Sequence, residues 1–62
     1  MITGDMVLLL EWDAAPELVG QKGTVVMWRE VGNQLHNMSF EYLIDFGKNQ
    51  KLWVPARYLR GL

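Results

Sequence analysis

Residues 51–62, KLWVPARYLRGL, decide the fold. Leu52 and Val54 alternate with Trp53, the period of a strand with one face turned inward. Pro55 has no N–H for a ladder, so the strand is expected to stop there. Residues 56–59, ARYL, then read as about one 3₁₀ turn, and RGL as a short terminal strand. A strand, a tight turn and a second short strand within twelve residues describe the closure of a small β-barrel.

Working back from this closure, SFEYLIDF (39–46) is the strand that answers it across the turn GKNQ. Phe40, Tyr42, Ile44 and Phe46 share one face, with Glu41, Leu43 and Asp45 on the other. TVVMWREV (24–31) is β-branched and aromatic, a composition suited to a pleated, half-buried surface. GNQLHNM (32–38) reads as a polar connection anchored by Leu35 and Met38. Further back, Pro16 suits the start of one helical turn through Leu18, and Gly20 and Gly23 are expected to permit the reversal that follows. The apolar run GDMVLLLEW (4–12) is short enough for a strand, with Val7 and Leu9 on one face and Met6, Leu8 and Leu10 on the other. The whole chain of 62 residues reads as a single all-β domain, a barrel of about five short strands.

Three pieces, in this order, resemble the SH3-like barrel superfamily over essentially the whole chain. GDMV (4–7) is similar to the G-D-x-V opening of KOW, Tudor-like and bacterial SH3-like domains. VGQKGTV (19–25) is similar to their G-x-x-G-x-V turn, and WVPARYL (53–59) to the P-x-x-Y ending with its 3₁₀ turn. In peptide-binding SH3 domains the proline and tyrosine of that ending line a polyproline groove. Pro55 and Tyr58 match them, and Trp12, Trp28 or Trp53 would supply the indole. The aromatic-acidic segment that precedes G-D in those domains has no counterpart before Gly4, so this site is not expected. The type II dihydrofolate reductase framework is also similar, through GDMV, VVMW and PARYL, and implies a homo-oligomer. Its V-Q-I-Y contacts to folate and nicotinamide align with Lys51, Leu52, Trp53 and Val54, so reductase activity is not expected.

Composition narrows the function further. Half the residues are apolar, too many for a disordered chain, yet no apolar run approaches the roughly 18 residues of a membrane span. No membrane partner is therefore expected. Cysteine is absent, which removes disulfides, thiolate nucleophiles and thiolate metal ligands. The N-terminal residues lack the basic n-region and cleavage site of a secretory signal, and a cytoplasmic protein is the expectation. Formal net charge is −1, where a nucleic-acid binder usually carries a basic footprint. Lys48, Lys51, Arg57 and Arg60 nonetheless gather in the second half beside Tyr58, the charge-plus-stacking combination of single-strand binders. Nucleic acid is thus the alternative partner, disfavoured by the overall acidity.

No catalytic, cofactor or metal site emerges. The one histidine, His36, reads as an ordinary loop residue, although Ser39 and Asp45 could be drawn beside it. Glu11 and Asp13 read as a solvated pair. GQKG (20–23) leads into a strand rather than a helix and so makes no phosphate cradle. What remains is a surplus of apolar side chains. If one face of each strand fills the barrel, then Leu8, Leu10, Val26, Trp28, Leu43 and Trp53 point outward, more than a monomer ordinarily exposes. The expectation is a non-catalytic interaction module that binds a protein partner or itself, ahead of a nucleic-acid or ribosome-associated KOW/Tudor-like domain and, third, an enzyme formed in the pore of a homo-oligomer. Trp28, Trp53, Leu8 and Leu43 would form the contact, with Tyr58, Arg57 and Arg60 around it. Burial of that surplus in an interface is favoured over its cover by segments 13–23 and 32–39. Self-association also suits a domain this small, whose single core is limited.

Overall fold

The computed structural model describes residues 2–32 and 39–62. The expectations for His36, Leu35 and Met38 therefore lie outside the described residues. Five strands run in the order β1 (Met6–Leu9), β2 (Lys22–Val31), β3 (Ser39–Asp45), β4 (Lys51–Pro55) and β5 (Leu59–Gly61). They form one antiparallel sheet in the order β4-β3-β2-β1-β5. The helical pieces among the described residues are two 3₁₀ turns, Pro16–Leu18 and Ala56–Tyr58. The second immediately precedes β5, as Pro55 requires: it ends the ladder and its fixed φ of −56° starts the turn.

The sheet curls. Val54 on β4 and Leu59 on β5 lie on its two opposite edges, yet both belong to one core. That core also holds Val7, Leu9, Val25 and Ile44, with Ala15 and Leu18 from the loop between β1 and β2. Segment 13–23 therefore closes the open end of the core rather than covering the outer face of the sheet. Trp12, Tyr42, Phe46, Leu52 and Tyr58 pack around the rim of the cluster. β1 is shorter than the apolar run 4–12 because Leu10 already leaves the ladder and gives its N–H to the Tyr58 carbonyl at 2.8 Å.

Two glycines expected to serve one reversal do different jobs. Gly20 has φ +88°, a region that L side chains rarely adopt, and it makes the turn. Gly23 lies inside β2, and its role is close packing. A Cβ there would collide with the Ile44 Cγ2 and stand 3.1 Å from the Asp45 carbonyl oxygen. The β3–β4 turn carries the same left-handed demand on residues less suited to it. Lys48 and Asn49 have φ of 54° and 62°, and Gln50 N–H closes the turn on the Gly47 carbonyl at 2.9 Å. Two consecutive positive φ values are what a type I′ turn needs, and Asn-Gly suits them best. Replacing Lys48-Asn49 by Asn-Gly should raise stability by about 0.5–1 kcal/mol, read as a higher thermal midpoint. An unchanged or lower midpoint would show that the turn carries no strain.

β2 is much longer than β1, and this sets the shape of the molecule. Ten residues of strand at ~3.3 Å each reach about 33 Å, nearly the full 36 Å of the longest dimension. Only the first part of β2 is paired with β1, through Lys22, Gly23 and Thr24. Past Val25 the strand keeps β3 on one side, with β4 continuing the sheet as far as the row of Arg29, and only Glu30 and Val31 with Phe40 and Ser39 extend beyond as a two-stranded ribbon.

Candidate interaction surface

A β-bulge between Val25 and Met27 rearranges the faces of this ribbon. Strict alternation along 24–31 places Trp28 outward and Met27 inward. The extra residue, Val26, shifts the register by one, so that Met27 lies opposite Leu43 and Trp28 opposite Tyr42. Residues directly opposite share a face. Trp28 is therefore on the same face as Tyr42 and the core, and Met27 is on the outer face; both expectations are corrected by the bulge.

Trp28 nonetheless remains 53% exposed, because β1 no longer runs beside β2 at this point. Beside it lies Phe40, 42% exposed, with ring centroids 5.8 Å apart in an edge-to-face arrangement. The pair forms an aromatic shelf continuing the inner face of the sheet. On the outer face, Met27, Leu43 and Trp53 form a row across β2, β3 and β4. Met27 is 49% exposed. The neighbouring row is Arg29, Glu41 and Pro55. Arg29 donates from Nε and Nη2 to the Glu41 Oε1 at 2.9 and 2.7 Å, and its guanidinium carbon sits 4.1 Å from the centre of a Trp53 ring. A cation held by a carboxylate and stacked on an indole covers part of the face of Trp53, which is partly buried.

The expected contact residues thus fall into separate places. Leu43 and Trp53 are direct neighbours on the outer face. Trp28 lies on the reverse of the same ribbon. Leu8 is on the outer side of β1, flanked by Arg60 of β5 and Lys22 of β2. Tyr58 packs on the rim of the core beneath the Arg57 guanidinium, 4.7 Å from its ring centre. The four cations of the second half do not gather around one groove. Lys51 stands opposite Asp45 at one end of β4, while Arg57 follows its other end, and Arg60 joins Lys22 around Leu8. Among the described residues no group of three or more His, Asp or Glu is placed to hold a metal ion, and no helix is long and apolar enough to cross a membrane.

Sequence reading missed Phe40, Met27 and Arg29 as members of the surface. The signal for Phe40 was absent, since the runs 4–12, 24–31 and 39–46 are of similar length and do not announce that β1 ends at Leu9. The signal for Met27 was absent, since nothing in TVVMWREV announces a bulge. A comparison with family models, with curated proteins and with solved structures returns no match.

Proposed function

We propose that this protein is a non-catalytic interaction or assembly module of the SH3-like barrel type, acting in the cytoplasm and binding protein surfaces through the β2–β3 ribbon and adjoining β4. Support for the SH3-like assignment comes from the strand order β4-β3-β2-β1-β5 and the 3₁₀ turn before the last strand. The observation that carries the functional reading is the group of exposed apolar side chains on the far part of β2 and β3, Trp28 and Phe40 on one face and Met27 on the other, with the partly buried Leu43 and Trp53 continuing the row of Met27. Large aromatic residues and methionine with an arginine beside them are the composition of an interface centre. Partners of this kind include a second copy of the chain.

The solution mass, measured by light scattering across a range of concentrations, tests this directly. Association is expected to raise the mass above the 7.2 kDa of one chain. Trp53→Ala and Trp28→Ala are each expected to weaken association by about tenfold or more, as for central interface tryptophans, with the thermal melt retained. If either variant unfolds the domain instead, that indole serves the fold and the surface reading is lost. A single-chain mass at every concentration removes self-association and leaves a foreign protein as the partner.

A further inference from the structure

Among the described residues, β2 beyond Val25 has an open backbone edge on the side away from β3. β1 reaches only as far as Val25, whose N–H donates to the Asp5 carbonyl at 2.9 Å and whose carbonyl accepts from Gly4 N–H at 2.8 Å. Among the described residues, no backbone bond reaches residues 26–31 from that side. Backbone groups alternate between the two sides of a strand, so their directions follow from the neighbours. Phe46 turns its N–H toward β4, to the Gln50 carbonyl. Counting back along β3, Asp45, Leu43 and Glu41 turn toward β2. Their partners Met27 and Arg29 face β3 in return. Trp28 and Glu30 therefore present their N–H and C=O groups to the open side.

We infer that this edge is the seat of a second copy of the same edge, the two β2 strands pairing antiparallel about a twofold axis at Arg29. The inference rests on the self-associating form of the function proposed above and names where and how it occurs. Its first support is the matching of donors and acceptors. With Arg29 on the axis, Trp28 of each copy lies opposite Glu30 of the other, and all the open groups of these residues are used in four hydrogen bonds. Centring on Glu30 places two carboxylates directly opposite each other, a destabilising arrangement. Centring on Trp28 drives Glu30 against the bulge at Val26.

The second support is contrast with the other edges. β4 carries Lys51 at its start and ends in Pro55, and β5 is three residues long with Arg60 at its centre; lysine, proline and shortness are ordinary protections against pairing. The edge of β2 has neither lysine nor proline from Val26 to Val31. Its two charged residues fit the pairing. Arg29 is already held by its own Glu41 and Trp53, which tempers the meeting of two guanidinium groups on the axis, and Glu30 lies opposite an indole. Third, each face beside the edge carries apolar side chains, Met27 and Val31 on one and Trp28 on the other. Continuing the sheet extends the Met27–Leu43–Trp53 row on one face, where Met27 meets the second copy's Val31, and the Trp28–Phe40 shelf on the other. Trp28 and Met27, each near half exposed, stand beside Glu30 and Val31 of the second copy and lose part of that exposure. A contact made by one short strand edge is at the low end for a specific interface, and the dimer is accordingly reversible.

The chain has no cysteine, so single cysteines report contacts cleanly. At the axis of an antiparallel pair the two Cα atoms are about 4.5–5.5 Å apart, within disulfide reach. Arg29→Cys under mild oxidation is expected to give a covalent dimer in yield about tenfold above Asn49→Cys, a control on the distant β3–β4 turn. Glu30→Pro removes one edge-facing N–H and leaves the β2–β3 ladder intact. It is expected to return the mass from twice 7.2 kDa to that of a single chain while keeping a cooperative melt. An oligomer that survives Glu30→Pro, with Arg29→Cys no better than the control, overturns the edge and leaves association through the apolar faces standing. A wild-type monomer up to about 1 mM, a Kd weaker than roughly −4 kcal/mol of binding, overturns the inference outright. Should Glu30→Pro fail to fold, the cysteine comparison decides alone.

Discussion

Ile44→Ala is expected to leave the protein largely unfolded at 25 °C. Ile44 is fully buried, on the strand that holds β2 and β4 together, directly opposite Val25 on one side and Leu52 on the other. Truncating a buried isoleucine costs about 2–5 kcal/mol, through lost transfer energy and the cavity left behind. A single core of this size supplies only about 3–5 kcal/mol of net stability. The loss is therefore of the order of the whole. Circular dichroism during a thermal melt should show no cooperative transition for the variant, or one recovered only in stabilising sulfate. A midpoint within a few degrees of the parent would mean that the core is organised around other side chains.

Gly23→Ala is expected to be the second most damaging change, for the opposite reason. The added methyl runs into the Ile44 Cγ2 and crowds the Asp45 carbonyl, the latter fixed in the β2–β3 ladder. Overpacking of this kind costs about 1–3 kcal/mol. For a domain of this size the midpoint falls by roughly 4–8 °C per kcal/mol. The two substitutions should be coupled, because the Ile44 Cγ2 that obstructs Gly23→Ala is removed by Ile44→Ala. In the double variant the alanine methyl at 23 enters volume that Cγ2 has vacated. It should be more stable than Ile44→Ala alone, and its cooperative melt should return in sulfate at a higher midpoint. Additive losses would show that the Asp45 carbonyl, not the isoleucine, is the obstacle at Gly23.

These two residues also show how far local reading extends. Ile44 was legible as core from alternation in SFEYLIDF, and the β4 boundary at Pro55 followed from a missing N–H. Both are consequences of chemistry carried by one residue and its immediate neighbours. Gly23 was read as a turn residue because glycine has two uses, freedom in φ and absence of Cβ. Only a neighbour distant in sequence, Ile44, distinguishes them. The candidate surface divided in the same way. Trp53 and Leu43 were placed on the outer face by alternation, and the β3–β4 register sets them directly opposite each other. Trp28 was assigned to that face and lies on the other, because the register of β2 against β3 contains one residue more than alternation allows.

From its sequence alone this chain determined its class, its single small core, the place of each strand and the turn that precedes the last one. Those features come from periodicity, from proline and glycine, and from the total of apolar side chains, all of them properties of short segments. The tertiary structure decided where the surplus apolar surface goes. Strands of unequal length leave β2 without a neighbour on its β1 side beyond Val25 among the described residues, and a bulge turns Trp28 to one face and Met27 to the other. Unequal pairing and register exist only between strands, so no reading of one strand at a time contains them.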